Sequence, residues 1–243
     1  MSLNPLPNVW GIIIQIFYLI FSLIVVFCNL LVKGDIFGVN LLEHAAASLI
    51  RVGVGFAVAI VTAVPLGLLI GWNKKLSAAT HPLIEIVRHI PPIAWIPFSI
   101  VFFGLGLFSS AFIVWLGAFF PILLNTASGV RNIGRAQIDV AITLGAKEKD
   151  LISKVVFPAI LPEVITGMRV GLGVGWMCVI ASEMIGLRKP VGLGFFVLEM
   201  QYLGRYLDMI AGMIMIGLIG LLLDYGLRFL EYRVLRWREE VGR

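Results

Sequence analysis

The sequence is short of charge. Of its 243 residues, 14% are Asp, Glu, Lys or Arg and 60% are hydrophobic, with a mean hydropathy of +1.00. A soluble domain carries roughly 25% charged residues, so an ordinary soluble domain is excluded. Cysteine is scarce too. Cys28 and Cys178 each sit in an apolar run and read as small hydrophobes, which excludes a disulfide framework or a thiolate metal site. No lysine is followed by Ser or Thr, so GxxxxGK[ST] is missing and the chain has no phosphate cradle of the usual kind. HExxH is missing, and His44, His81 and His89 are scattered. The clustered His, Asp or Ser that a membrane-embedded enzyme needs are not visible in the apolar runs. The first ten residues, MSLNPLPNVW, hold no basic residue, and the apolar run after them is too long for a signal peptide. A retained span is expected there.

What is present is a series of apolar runs near the length that crosses a bilayer. Six spans are expected, at about 9–32, 42–72, 80–104, 110–130, 164–185 and 209–230. Trp10 reads as an interfacial anchor of the first. The second begins with Glu43, His44 and Arg51. Glu43, Ala47 and Arg51 share one helical face, which fits an ion pair within that helix or a substrate contact, with the Arg51 head at the interface. The third holds RHIPPIAWIP, with prolines at 91, 92 and 97 that break the helix. Broken backbone survives in a bilayer only against protein or a wet cavity, so this span is expected to face the interior. GLGLFS at 104–109 reads as a tight turn. In the fifth span Gly167, Gly171 and Gly175 recur every four residues and offer a flat face for close helix contact. Gly171, Gly173 and Gly175 are no nucleotide fingerprint, because no strand precedes them.

The net charge of +5 need not mean nucleic acid. Lys74, Lys75, the polar stretch after residue 130 and the tail with Arg233, Arg236, Arg238 and Arg243 all fall on one side of a six-span layout. By the positive-inside rule that side is cytoplasmic, with both termini. Lys33, Arg188, Lys189 and Arg205 fall outside. The segment 186–208, with three glycines after Pro190, is expected to dip partway into the membrane and cover the path.

The polar stretch organises the rest. Residues 131–163 carry Arg131, Arg135, Asp139, Lys147, Glu148, Lys149, Asp150, Lys154 and Glu163. Apolar positions at helical spacing lie on both sides of Gly145. The pattern predicts helix, bend at Gly145, helix, ending at Phe157-Pro158, with Pro162 in the first turn of the next helix. Two readings fit: a hairpin lying on the membrane surface, or a knob that docks a partner.

DVAITLGAKEKDLISKVVFPAILP resembles the EAA loop of binding-protein-dependent ABC importer permeases, whose pattern is E-A-A, three residues, Gly, nine residues, Ile, any, Leu-Pro. Asp139 stands at its Glu, Val140 and Ala141 at its alanines, Gly145 at its Gly, and Val155, Phe157 and Pro158 at its end. Asp for Glu and Val for Ala are departures. LLEHAAASLIRVGVGFAVAIVTAVPLGLLIG, HPLIEIVRHIPPIAWIPFSIVFFGLG and MRVGLGVGWMCVIASEMIG resemble the branch that carries nitrate, aliphatic sulfonates, taurine and related solutes. The resemblance implies an all-α polytopic membrane fold, the transmembrane domain of a type I ABC importer with six transmembrane helices. It implies a coupling loop in which Asp139, Ala141, Leu144, Gly145, Ala146, Lys147, Asp150 and Pro158 meet an ATPase. It also implies a homodimer with two ATPase subunits and an extracytoplasmic substrate-binding protein, ATP and Mg being held by the ATPase and no cofactor by this chain. A secondary transporter or channel is the alternative, with Glu183 as its candidate for a coupling ion.

Polar atoms inside spans usually face the bundle interior or water. The path candidates are Arg88, Pro92, Trp95, Asn125, Arg169, Ser182 and Glu183, with Thr126 beside Asn125. Arg88 and Arg169 fit either positive-inside anchors or contacts to an anionic solute. Glu183 would repel an anion if ionised in the path, so a helix end or a cation of the outer gate is its expected partner. Trp95 and Trp176 read as packing residues or an apolar constriction.

Overall fold

The computed structural model describes residues 9–36, 38–147, 150–185 and 191–235. Glu148, Lys149, Arg188, Lys189, Arg236, Arg238 and Arg243, whose sides of the membrane were expected above, lie outside the described residues, as does the side chain of Trp10. All described regular structure is helical: α1 (Val9–Val32), α2 (Leu41–Trp72), α3 (Lys74–Arg88), α4 (Ile96–Phe103), α5 (Leu107–Arg131), α6 (Arg135–Thr143), α7 (Leu161–Ile185), α8 (Leu193–Tyr202) and α9 (Tyr206–Val234). Among the described residues five helices are long and apolar enough to cross a membrane. The α3–α4 pair, bent by 84°, makes a sixth crossing if taken as one span.

The core is α5, gripped between α2 and α7. Lipid tails are as apolar as leucine, so helices in a bilayer associate by close van der Waals packing, and small residues permit it. On α7 the expected glycine face is there. A Cβ added at Gly167 would sit 2.9 Å from Asn125 Cβ, one at Gly171 2.9 Å from the Ala118 carbonyl oxygen, and one at Gly175 3.2 Å from Val114. A second seam runs along α2. Gly55 meets Ala111 and Val114, Gly67 meets Thr126, and Gly71 meets Val130, with fully buried Ala59 and Ala63 between them. These five positions also recur every four residues. Among polar groups in the core, Thr126 donates to Ile122 O at 2.7 Å.

The bent pair meets the expectation of an interior third span only in part. No residue of α3 is buried, and on α4 only Ile96 and Ser99 are. The break itself borders a cleft against α5 and α7, and short local bonds carry part of its backbone. Ala94 N donates to Pro91 O at 2.9 Å, Ile90 N to Val87 O at 3.1 Å, and Pro92–Trp95 form one 3-10 turn. The turn expected over 104–109 is shorter, since Gly104 has φ +71° and α5 already starts at Leu107. α9 runs from residue 206 to 234, longer at both ends than expected, and α8 packs between it and α7 with Leu193, Phe196 and Met200 buried.

Candidate functional site

Three places carry the expected site residues. The first is the knob beyond the α5 end of the bundle. α6 closes on a bend in which Gly145 N donates to Ile142 O and Ala146 N to Ala141 O, at 2.9 and 3.0 Å. Gly145 has φ +84°, a conformation that glycine adopts without steric cost. A side chain there would meet open space, so the backbone angle alone demands the glycine. The second half is wound differently from the expected α-helix. Leu151–Val156 form a π turn that passes into Phe157–Ala159. Leu151, Val156 and Ile160 are buried, Val156 and Ile160 against Val130 and Val164, and they root the knob on α5 and α7. The α6 side points away: Val140 is 59% exposed, Ile142 56% and Leu144 83%. Asp139, Gly145 and Lys147 are exposed beside them, and Ala141 and Ala146 are half-buried. Asp150 Oδ1 holds Lys154 Nζ at 2.7 Å, and this bond with the carboxylate charge raises the lysine pKa. Pro158 lines a groove of about 540 Å³ with Gly129 and Glu163.

The second place is a cleft of about 460 Å³ between the bend, α5 and α7. It brings together Arg88, Pro92 and Asn125 with Pro121, Val170 and Val174. Asn125 Nδ2 donates to Pro121 O at 2.8 Å. Arg88 is bound to Glu85 at 2.9 and 3.0 Å. The other path candidates are elsewhere. Arg169 ties α7 to α9 through Glu231 at 2.9 Å and Asp224 at 3.4 Å. Trp95 is half-buried with its indole nitrogen unpartnered, and Ser182 donates to Val179 O on its own helix. Trp176 is buried and donates to Ile216 O at 3.2 Å, a packing position.

The third place lies at the opposite end, around Glu183. Arg51 Nη1 reaches Glu183 Oε1 at 2.6 Å and Ser48 Oγ lies 2.8 and 2.9 Å from its two oxygens. Gly194 N–H, in the first turn of α8, donates to Oε2 at 2.9 Å. Glu183 thus has both a helix end and a cation. Arg51 is not paired with Glu43, and its head is buried within the protein. It is 8% exposed, while Glu43 is exposed and its N–H is capped by Asn40. A guanidinium this deep needs a carboxylate at bonding distance, and α7 supplies it where an i−8 neighbour on its own helix does not. His44, seen in the sequence as scattered, is fully buried, with Nε2 3.1 Å from Asp35 Oδ2 and Nδ1 accepting Gly192 N–H at 3.0 Å. Ser48 and Asp35 were not singled out in the sequence either. The available signal was spacing: His44, Ser48, Arg51 and Gly55 fall on one face of α2.

Residues 63–236 match the family model described as "binding-protein-dependent transport system inner membrane component". The chain belongs to this family. Similar permeases include a putative ABC transporter permease of Methanocaldococcus jannaschii, 46% identical over 82% of this chain and 74% of its own length. The taurine transport permease of Escherichia coli is 35% identical over 83% and 73%, and the bicarbonate transport permease of Synechococcus elongatus is 38% identical over 81% and 70%. Two crystal forms of the MetNI methionine ABC transporter in inward-facing conformations superpose with TM-scores of 0.60 and 0.61. They cover 79% and 80% of this chain and 93% and 95% of theirs, at 23% and 22% identity. The permease therefore has the fold of an ABC importer transmembrane subunit. Its family implies ATPase and substrate-binding partners.

Proposed function

We propose that this permease conducts a small anionic solute, of the nitrate, sulfonate or taurine kind, through a pair of identical chains. Two ATPase subunits bind below and a substrate-binding protein delivers the solute from outside. The observation that carries the reading is the knob: three exposed apolar side chains at the end of a short helix, bent at Gly145, in a loop with EAA-like spacing. Water exposure of Val140, Ile142 and Leu144 is unfavourable by the area they leave wet. An ATPase groove would cover it. The chain itself is non-catalytic in this scheme. ATP and Mg bind the partner, and Asp139, Leu144, Gly145 and Lys147 face it. The knob end is cytoplasmic, as are both termini, in the cell membrane.

The solute class is supported by relatives named for taurine, bicarbonate, nitrate and aliphatic sulfonates, all carrying an anionic group. Arg88 at the rim of the cleft supplies a planar multi-donor group that suits such an anion. The cleft is mostly apolar, so specificity is assigned chiefly to the binding protein. Affinity purification of this chain from membranes should bring an ATPase in fixed stoichiometry. Uptake in proteoliposomes should then need ATP inside. Uptake by the chain alone, driven by an ion gradient, would instead establish the secondary-transporter alternative.

A further inference from the structure

Four consecutive residues at the start of α8 have backbone groups bonded by side chains from distant parts of the chain. Gly192 N–H donates to His44 Nδ1 and Leu193 N–H to Ser48 Oγ, each at 3.0 Å. Gly194 N–H donates to Glu183 Oε2 at 2.9 Å, and the Val191 carbonyl accepts from Arg51 Nη2 at 2.8 Å. Helix starts usually find a cap in their own first turn. Gly192, the residue at the cap position, has no side chain to offer and makes no such bond. The side chains that replace it are themselves joined, Arg51 and Ser48 to Glu183 and His44 to Asp35.

His44, Ser48, Arg51 and Glu183 are all buried. Releasing the α8 start would leave three N–H groups and the Val191 carbonyl without these partners, and would take one bond each from the buried Arg51 and Glu183, which keep each other. The backbone is also pressed onto the acid. A Cβ at Gly192 would lie 2.7 Å from Glu183 Cδ, and one at Gly194 2.9 Å from Glu183 Cβ.

We propose that His44, Ser48, Arg51 and Glu183 are positioning residues for transport. They clamp the start of α8 to α2 and α7 throughout the cycle, so these three helices move as one block and opening is carried by other contacts. The idea of a cycle rests on the permease reading above. A latch that opened at each turnover would forfeit all four of these backbone bonds each time.

The test uses the complex of permease, ATPase and binding protein in nanodiscs. Amide exchange of residues 191–196 is followed by mass spectrometry at rest and after vanadate trapping. Equally slow exchange in both states is expected; faster exchange on trapping overturns the clamp. Ser48→Ala then removes the acceptor of Leu193 N–H, together with the hydroxyl's bond to Glu183, with little change in volume. It should speed exchange of the same peptide by about tenfold and lower the solute moved per ATP, with the ATPase still bound. Ser48→Thr, which keeps the hydroxyl, should restore both. A merely structural role would lower the yield of complex and leave the solute-to-ATP ratio unchanged, and that result sinks the proposal. If no ATPase co-purifies, the permease reading has failed instead. The exchange of 191–196 in the chain alone, with and without Ser48→Ala, still decides whether the bonds hold α8.

Discussion

Gly171 has no room for a side chain, because an added Cβ would stand 2.9 Å from the Ala118 carbonyl oxygen and 3.2 Å from Ile122. Both are on α5, and the Ala118 backbone cannot yield as a flexible side-chain tip can. Gly171→Leu should destabilise the chain by about 1–3 kcal/mol, read as a lower Tm in detergent, whereas Gly173→Leu, with nothing near it, should leave Tm unchanged. An equal effect of the two would deny the α5–α7 seam. Lys154 gives the contrary case. Asp150 raises its pKa, so the pair is intact at neutral pH, and on the alkaline side it is lost as pH climbs through the raised lysine value. Both partners are exposed, and exposed pairs contribute little. Lys154→Met should change neither Tm nor transport at pH 7. The glycine seam of α7 was legible as a four-residue repeat. The partner of Arg51 was not, since Glu183 lies 132 residues away and a nearer acid, Glu43, offered itself.

Among the elements, the knob depends on one backbone angle and one exposed side chain. Gly145 holds φ +84°, and an L-residue in that region costs roughly 1–2 kcal/mol. Gly145→Glu should therefore re-aim α6 while the spans remain folded. ATP hydrolysis by the complex should persist or rise, and transport should fall. Transport still coupled to hydrolysis in that variant would count against the knob as a lever. Leu144, 83% exposed, is the most exposed side chain of α6 and its bend with an apolar surface to bury. Leu144→Arg should leave Tm unchanged and reduce the ATPase recovered with the permease. The Gly145 bend was legible from helical spacing on either side of a glycine. The π winding of Leu151–Val156 was not, because apolar residues at 151, 152, 155 and 156 satisfy an α-helix equally well. The same limit applied to the third span. Its prolines announced a break, but not that the break would border the cleft while no residue of α3 is buried.

For the whole molecule, the arrangement is a bundle with polar work at each end. Arg51 and Glu183 tie α2, α7 and α8 at one end, and the knob stands at the other. Arg88 borders the cleft between them. If that cleft is the solute path, Arg88→Gln should lower the rate of ATP-driven uptake of an anion and spare assembly with the ATPase. Arg169→Gln should act on stability instead, since its guanidinium joins α7 to α9. A thermal-shift screen of the binding protein with nitrate, bicarbonate and sulfonates identifies the solute. The sequence alone determined that the chain carries a series of apolar runs long enough to cross a bilayer and where its polar loop bends. Those properties follow from runs, periods and single glycines that neighbouring residues define. Only the tertiary structure decided which buried charges meet, which candidates share a cleft and that α2 carries a second seam of contact. Such pairings depend on how helices rotate and slide against one another, which no segment specifies until its neighbours are in place.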